Sequence, residues 1–514
     1  MAVQTIEVPL NRVEGDLEIR VAVEDGRVVD AWSAGTQFRG FERMLVGRAP
    51  LDGLVITPRI CGLCSTSHLY VASRALDQLA GVTPPPDAIR VRNIALLVEN
   101  LQSDMRHAFL LFGADFVNAA YEGQPLYEEA RRRYAPLAGS AAVAALRATR
   151  KILEIVAILG GQWPHSSFMV PGGVASAVGP IEFLQCRHVL ARFRHYYETD
   201  VLGCALERIA ELKSSADLDA WLDEAPAHRD SELGFYLRFA RAAGFERMGK
   251  GHGNFVSGGS LDIPEGSAVQ AQGGGRQLVP AGFLSSDGAG SVFDQREVAE
   301  HIAHSWFTGY EGGMHPSTGV TEPYATGAEG DRYSWAKAPR YAGQPAEVGP
   351  LAELLLAGHP LLQALVAEQQ GPNVFVRHLA RLLRAAAMLP AMETWLAELG
   401  KDAGGLVLHG VKMRDGEGIG LGAAARGMLG HWLRVEAGRI SRYQVIPPTA
   451  WNGSPRDSGN VRGPWEQALC GTPVEDLDNP VAIGHVVRSF DPCLVCTVHA
   501  LDAGNGKPHG RIRI

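Results

Sequence analysis

The chain has 514 residues, 46% hydrophobic and 20% charged, with a formal net charge of −8 and no basic block. That balance suits a globular protein with a large buried core and excludes nucleic acid as a partner. The first residues lack the basic-then-apolar pattern of a secretory signal and no apolar run is long enough to span a bilayer, so the expectation is a cytoplasmic chain, or one that meets a membrane only through a partner subunit.

Along the chain, Leu17, Ile19, Val21 and Val23 alternate with polar residues up to Asp25-Gly26, which predicts a β hairpin over residues 17–35. After Pro84-Pro85-Pro86, Asp87 reads as an N-cap, and Ile94, Leu97, Val98, Leu101 and Met105 recur at helical spacing. Further helices are predicted over 141–159, stopped by Gly160-Gly161, and over 183–212. Residues 249–290 are rich in glycine and read as loops and short strands, whereas 351–399 return to helices with breaks near Pro360 and Gly371-Pro372. Residues 403–465 are again rich in glycine and proline, and no internal repeat is visible. The expected fold is α+β and mainly α: a large central helical bundle with peripheral β hairpins and irregular loops.

The chain has seven cysteines, an odd and sparse set that argues against a disulfide framework. Four form two Cys-x-x-Cys pairs, Cys61/Cys64 and Cys493/Cys496, near opposite ends of the chain. Two intervening residues let both sulfurs of a pair converge on one metal. Each pair is followed by a histidine, His68 and His499, and preceded by a charged group, Arg59 and Asp491. A structural zinc site of four cysteines is one reading. Zinc ribbons, however, space their pairs by roughly 15–20 residues, and four thiolates equally suit softer, redox-active metals. A thiolate can also act as a base. Cys186, Cys204 and Cys470 are scattered singly. An iron–sulfur cluster usually takes four cysteines, so the chain cannot build its own electron path. Cys204 sits in a helical pattern and reads as a small buried hydrophobe.

Arg59-x-Cys61-Gly62-x-Cys64 with His68, and Asp491-Pro492-Cys493-x-x-Cys496 with His499, resemble the paired signatures of nickel–iron hydrogenase large subunits. The resemblance extends in order through Arg12-Val13-Glu14-Gly15, Phe38-Arg39-Gly40-Phe41-Glu42, Tyr333–Tyr341, Glu347–Leu351, Ala425-Arg426-Gly427 and Thr449-Ala450-Trp451-Asn452. The related large subunit of respiratory complex I lacks these cysteines.

The resemblance implies a Ni–Fe centre, its nickel on Cys61, Cys64, Cys493 and Cys496. Cys64 and Cys496 would bridge to an iron carrying one carbon monoxide and two cyanides. The reaction implied is reversible heterolysis of H2 to protons and electrons, in the uptake direction, with Cys493 taking a proton and Glu14 relaying it. Arg426 would be suspended over the metals and oriented by Asp491, Arg426 and Thr449 would donate to the cyanides, and His68 would bond a bridging sulfur. Glu42 and His499 would hold Mg2+.

Implied partners are an iron–sulfur small subunit, which would dock near Glu14 and the first cysteine pair, and a maturation protease with nickel chaperones. Residues 1–499 would form one domain and residues 500–514 a C-terminal maturation peptide or retained tail. A regulatory H2-sensing subunit with slow turnover is the alternative. Two departures from the family pattern point to the canopy over the metals. Ala423-Ala424-Ala425 precedes Arg426 where many members have Glu-Ala-Pro. Ser103, with Asp104 beside it, occupies the place of a helix aspartate. Both departures make the chain resemble cytoplasmic uptake or sensing branches more than periplasmic respiratory ones.

Overall fold

The computed structural model describes residues 3–271, 274–324, 330–402 and 404–494. Helices form the centre, and small antiparallel sheets lie around them. The predicted hairpin is present as β2 (Leu17–Glu24) and β3 (Arg27–Gly35). Asp25 and Gly26 have φ of 50° and 71°, the left-handed pair that a two-residue hairpin turn needs. A further strand, β1 (Gln4–Pro9), pairs with β2. Its mostly exposed residues gave no core signal.

Two short helices, α1 (Phe41–Leu45) and α2 (Gly53–Ile56), lead to α3 (Ser65–Ala80) and α4 (Pro86–Arg106). Asp87 is not the N-cap of α4. Pro85 and Pro86 start the helix, and the Asp87 carboxylate instead accepts from Arg90 Nη1 at 2.9 Å and from the Gly400 amide at 3.0 Å. Almost every side chain of α4 is buried, including Asn93, Glu99, Asn100, Gln102, Ser103 and Asp104. Buried polar groups need partners, and those of α4 build much of the site described below.

The helix predicted over 141–159 is divided at Leu153 into Ser140–Ile152 and Glu154–Gly160. The one predicted over 183–212 runs as Pro180–Tyr196, continues through one wide turn and stops at Gly203, whose φ is 71°. A Cβ at Gly203 would lie 2.2 Å from the Ala227 carbonyl oxygen, so the close approach of the next segment sets the stop. Cys204 therefore lies beyond the helix and is only half-buried.

The glycine-rich regions hold longer strands than expected. Phe255–Asp262 pairs with Gln277–Leu284, and Gly416–Ala424, Gly427–Glu436 and Arg439–Ile446 form a three-stranded sheet. Packing explains the composition. A Cβ at Gly420 would sit 2.0 Å from the Val71 carbonyl oxygen, and one at Gly418 2.3 Å from that of Ala75. Glycine lets α3 lie directly on this sheet. One contiguous apolar cluster runs from β2 through α3, α4 and Val374–Glu398 to Val481–Ser489, so both chain ends contribute to one core.

Candidate metal centre

Three loops and one hairpin turn meet above α4. The first loop carries Cys61 and ends at Cys64, the N-cap residue of α3. His68 lies one turn on, and its amide donates to the Cys64 carbonyl at 3.0 Å. The second loop follows Val481–Ser489, where Asp491 takes a left-handed φ of 57° before Pro492 and Cys493. The third, between β1 and β2, holds Glu14. Its amide donates to the Pro492 carbonyl at 3.4 Å and its carbonyl accepts from the Leu494 amide at 2.6 Å. The turn Ala425-Arg426 joins two strands of the C-terminal sheet. Gly427, at φ 119°, lets that turn press on residue 349, since a Cβ there would be 2.3 Å from the Gly349 nitrogen.

These connections bring Cys61, Cys64 and Cys493 together. All three are buried and unbridged, and their sulfurs lie within 4.8 Å of one another. The Cys61 and Cys493 sulfurs are 3.5 Å apart. The Cys493 amide donates to Thr449 Oγ1 at 3.0 Å, which fixes the backbone that carries the thiol. Cys496, His499 and the 500–514 segment lie outside the described residues. A buried cluster of thiols without a disulfide fits a soft, thiolate-binding metal.

Arg426 lies over the sulfurs. Its Nη1 donates to Cys64 Sγ at 3.2 Å, and its Nη2 pairs with Asp491 Oδ1 at 3.1 Å. Burial opposes the arginine's charge, but Asp491 and the cysteine sulfurs outweigh it and hold the guanidinium protonated. Burial likewise raises Asp491, and Arg426, His107 and Arg381 together bring its carboxyl below the ordinary range. The acid paired with Arg426 is thus Asp491. Ser103 is not in that role, and Asp104 acts one step away: it holds Arg381 at 2.7 Å and Arg384 at 2.8 Å, while Arg381 reaches Asp491 Oδ2 at 3.1 Å. Glu353 completes the row on Arg384 at 3.1 Å. Asp104→Ala would leave two buried arginines short of their counter-charge, and a loss of about 3–5 kcal/mol of stability is expected. Denaturant unfolding checks this; a loss under about 1 kcal/mol would show that the row is not held by charge pairing.

Glu14 is half-buried. Burial raises its carboxyl above the usual range, aided by Cys64 and opposed by Arg426 and Arg39. That shift suits a group that carries a proton. His68 is fully buried, with Nδ1 3.1 Å from His431 Nε2. Burial lowers it to about 4 against the pull of the Cys64 thiolate, so its ring is neutral.

Glu42 is buried beside Thr321, accepts from the Val445 amide at 2.9 Å, and lies 3.5 Å from Lys337 Nζ. Glu300 lies 3.5 Å from the same ammonium, and Gln444 Oε1 accepts from it at 2.6 Å. Arg59 is not at the centre: it is exposed and bonds the Val55 carbonyl. Arg39 was passed over as a site residue in the sequence. It bonds the Ile60 carbonyl beside Cys61 and acts on both Glu14 and His68. Its position in the Phe38–Glu42 block was the only signal.

Residues 39–125 and 231–499 match the family described as nickel-dependent hydrogenase. The periplasmic [NiFeSe] hydrogenase large subunit of Desulfomicrobium baculatum is 32% identical, the match covering 98% of this chain and 96% of that one. The hydrogenase-2 large chain of Escherichia coli strain K12 is 28% identical over 96% of this chain and 97% of its own. Among solved structures, the Ni-Fe-Se hydrogenase from D. vulgaris Hildenborough in the as-isolated oxidized state superposes with a TM-score of 0.80 at 29% identity, covering 97% of this chain and 100% of that chain.

Proposed function

Because this chain belongs to the nickel-dependent hydrogenase family, as a large subunit, we propose that it oxidises H2 at a centre held by Cys61, Cys64, Cys493 and Cys496 and passes the electrons to an iron–sulfur small subunit. The observation that carries this reading is the convergence of three buried sulfurs from opposite chain ends beneath one buried arginine. Bound there, a nickel and an iron carrying carbon monoxide and two cyanides would supply the two-electron cleavage of H2.

The residues then divide the proton work. Cys493 Sγ accepts a proton, and the carboxyl of Glu14, on the loop paired with the Cys493 backbone, carries it away. Arg426 cannot give up its proton and serves as a fixed positive charge over the sulfurs, aimed by Asp491. Its hydrogens, with the Thr449 hydroxyl, would donate to the diatomic ligands. Neutral His68 sits beside the Cys64 thiolate. Glu42, with Glu300 and Gln444, offers oxygen donors suited to Mg2+; His499 would complete that site, where Lys337 already provides a neighbouring positive charge.

A large subunit implies a small one. Met44, Val46, Leu51 and Val55 are exposed around α1 and α2, just before the first cysteine loop. This apolar surface supports docking there. The 1–499 segment is taken as one domain, and the 500–514 segment as a maturation peptide removed by a protease after nickel delivery by chaperones. No single described helix is long and apolar enough to cross a membrane, so any membrane contact is assigned to a partner.

The test is H2-dependent dye reduction by the chain copurified with its iron–sulfur partner. Turnover of about 1 s−1 or faster supports the enzyme, whereas far slower turnover with a histidine kinase bound supports a sensor. Arg426→Lys should lower kcat about 100-fold, because an ammonium cannot span Cys64 and Asp491 as a guanidinium does. An unchanged kcat would remove Arg426 from the chemistry.

A further inference from the structure

The N-cap of α3 is Cys64, and its side chain makes no capping hydrogen bond. Two amides of the first turn, those of Thr66 and Ser67, are nevertheless satisfied, by a carboxylate from another helix. Glu99 of α4 is completely buried. Its Oε2 accepts from the Thr66 amide at 2.7 Å, from Trp163 Nε1 at 3.0 Å and from Ser65 Oγ at 3.4 Å. Its Oε1 accepts from the Ser67 amide at 2.8 Å and from Ser67 Oγ at 2.7 Å. The two amides and the indole can only donate, which favours the ionised carboxylate, while burial, and after it Cys64, raise the carboxyl to about 7. Among the described residues, no cation pairs with it. A carboxylate at a helix N-terminus is stabilised by the peptide dipoles, and in a buried setting its field reaches neighbouring groups with little screening.

We propose that Glu99 is a positioning residue for the metal centre: it caps α3 in place of Cys64 and sets a carboxyl group behind the loop that carries that sulfur. The cap holds the Cys61–Cys64 loop in register, leaving the Cys64 sulfur free for Arg426 and metal. In its ionised form the carboxylate makes the Cys64 sulfur a stronger electron donor. Residues that support metal ligands from behind commonly act this way. The inference rests on the hydrogenase reading above and adds to it a residue that does not touch the reacting atoms.

The test uses the copurified two-subunit holoenzyme with Glu99→Gln, which keeps the shape and removes the charge, and Glu99→Asp, which keeps the charge. In Glu99→Gln the infrared bands of the iron's diatomic ligands should move to higher frequency, because less electron density reaches them. Amide exchange at Thr66 and Ser67 should quicken, and kcat should fall about 10-fold with KM unchanged. Glu99→Asp should return the bands toward their original positions. Bands and kcat superimposable on the parent in Glu99→Gln would overturn the proposal.

Should Glu99→Gln fail to assemble, Trp163→Phe carries the test. It removes a donor that favours the ionised carboxylate and so should move the bands the same way as Glu99→Gln, to higher frequency; unmoved bands would again overturn it. Absence of such bands in the parent protein would instead count against the hydrogenase reading, so the two failures are told apart.

Discussion

Replacing Cys493 by serine is expected to reduce H2 oxidation to background while the chain still folds and still binds its partner. The fold does not depend on this sulfur: Cys493 lies in a loop whose backbone is held by Thr449 Oγ1 and by Glu14, and those bonds survive the change. The chemistry does depend on it. A thiol ionises near pH 8.5 and becomes a soft ligand and a usable base, whereas a serine hydroxyl is neither. Cys61, at 3.5 Å, does not replace it, because the loop paired with Glu14 is that of Cys493. Retained H2 oxidation at full nickel occupancy would remove Cys493 from its assigned role.

Glu14→Gln is the second large effect. The amide preserves the loop pairing with residues 492–494 but cannot accept and release a proton. Exchange between D2 and solvent protons should fall on the order of 10³-fold, while nickel and iron content stay unchanged. That combination separates a relay from a structural residue. Undiminished exchange would mean that protons leave by another path.

Much of this site was legible in the sequence because thiols at fixed spacing carry their own chemistry. Cys61, Cys64 and Cys493 come together, His68 lies one helical turn past Cys64 and Asp491 beside Arg426, while Cys496 lies outside the described residues. Their meeting was implied by the family resemblance alone. It depends on the parallel pairing of Glu14 with Cys493, a contact between chain ends that no local pattern encodes.

The canopy was readable only as a departure. Ser103 and Asp104 showed that an acid had shifted by one position, but two buried arginines on Val374–Glu398 decide where its charge goes. In the fold, alternation and helical spacing found β2, β3 and α4. The strands of the 403–465 region were missed because glycines there serve a helix packed on the sheet rather than a turn, as Gly418 and Gly420 show. Arg59 looked functional by adjacency to Cys61, yet the helical turn that holds it points it to solvent.

The central claim is that buried cysteines from both chain ends hold a Ni–Fe centre. Its most direct test is infrared spectroscopy with metal analysis of the protein copurified with its small subunit. The account predicts bands of one carbon monoxide and two cyanides that shift under H2, with nickel and iron each near one per chain. Zinc in their place, with no such bands in fully matured protein, would contradict it and leave a structural four-cysteine site.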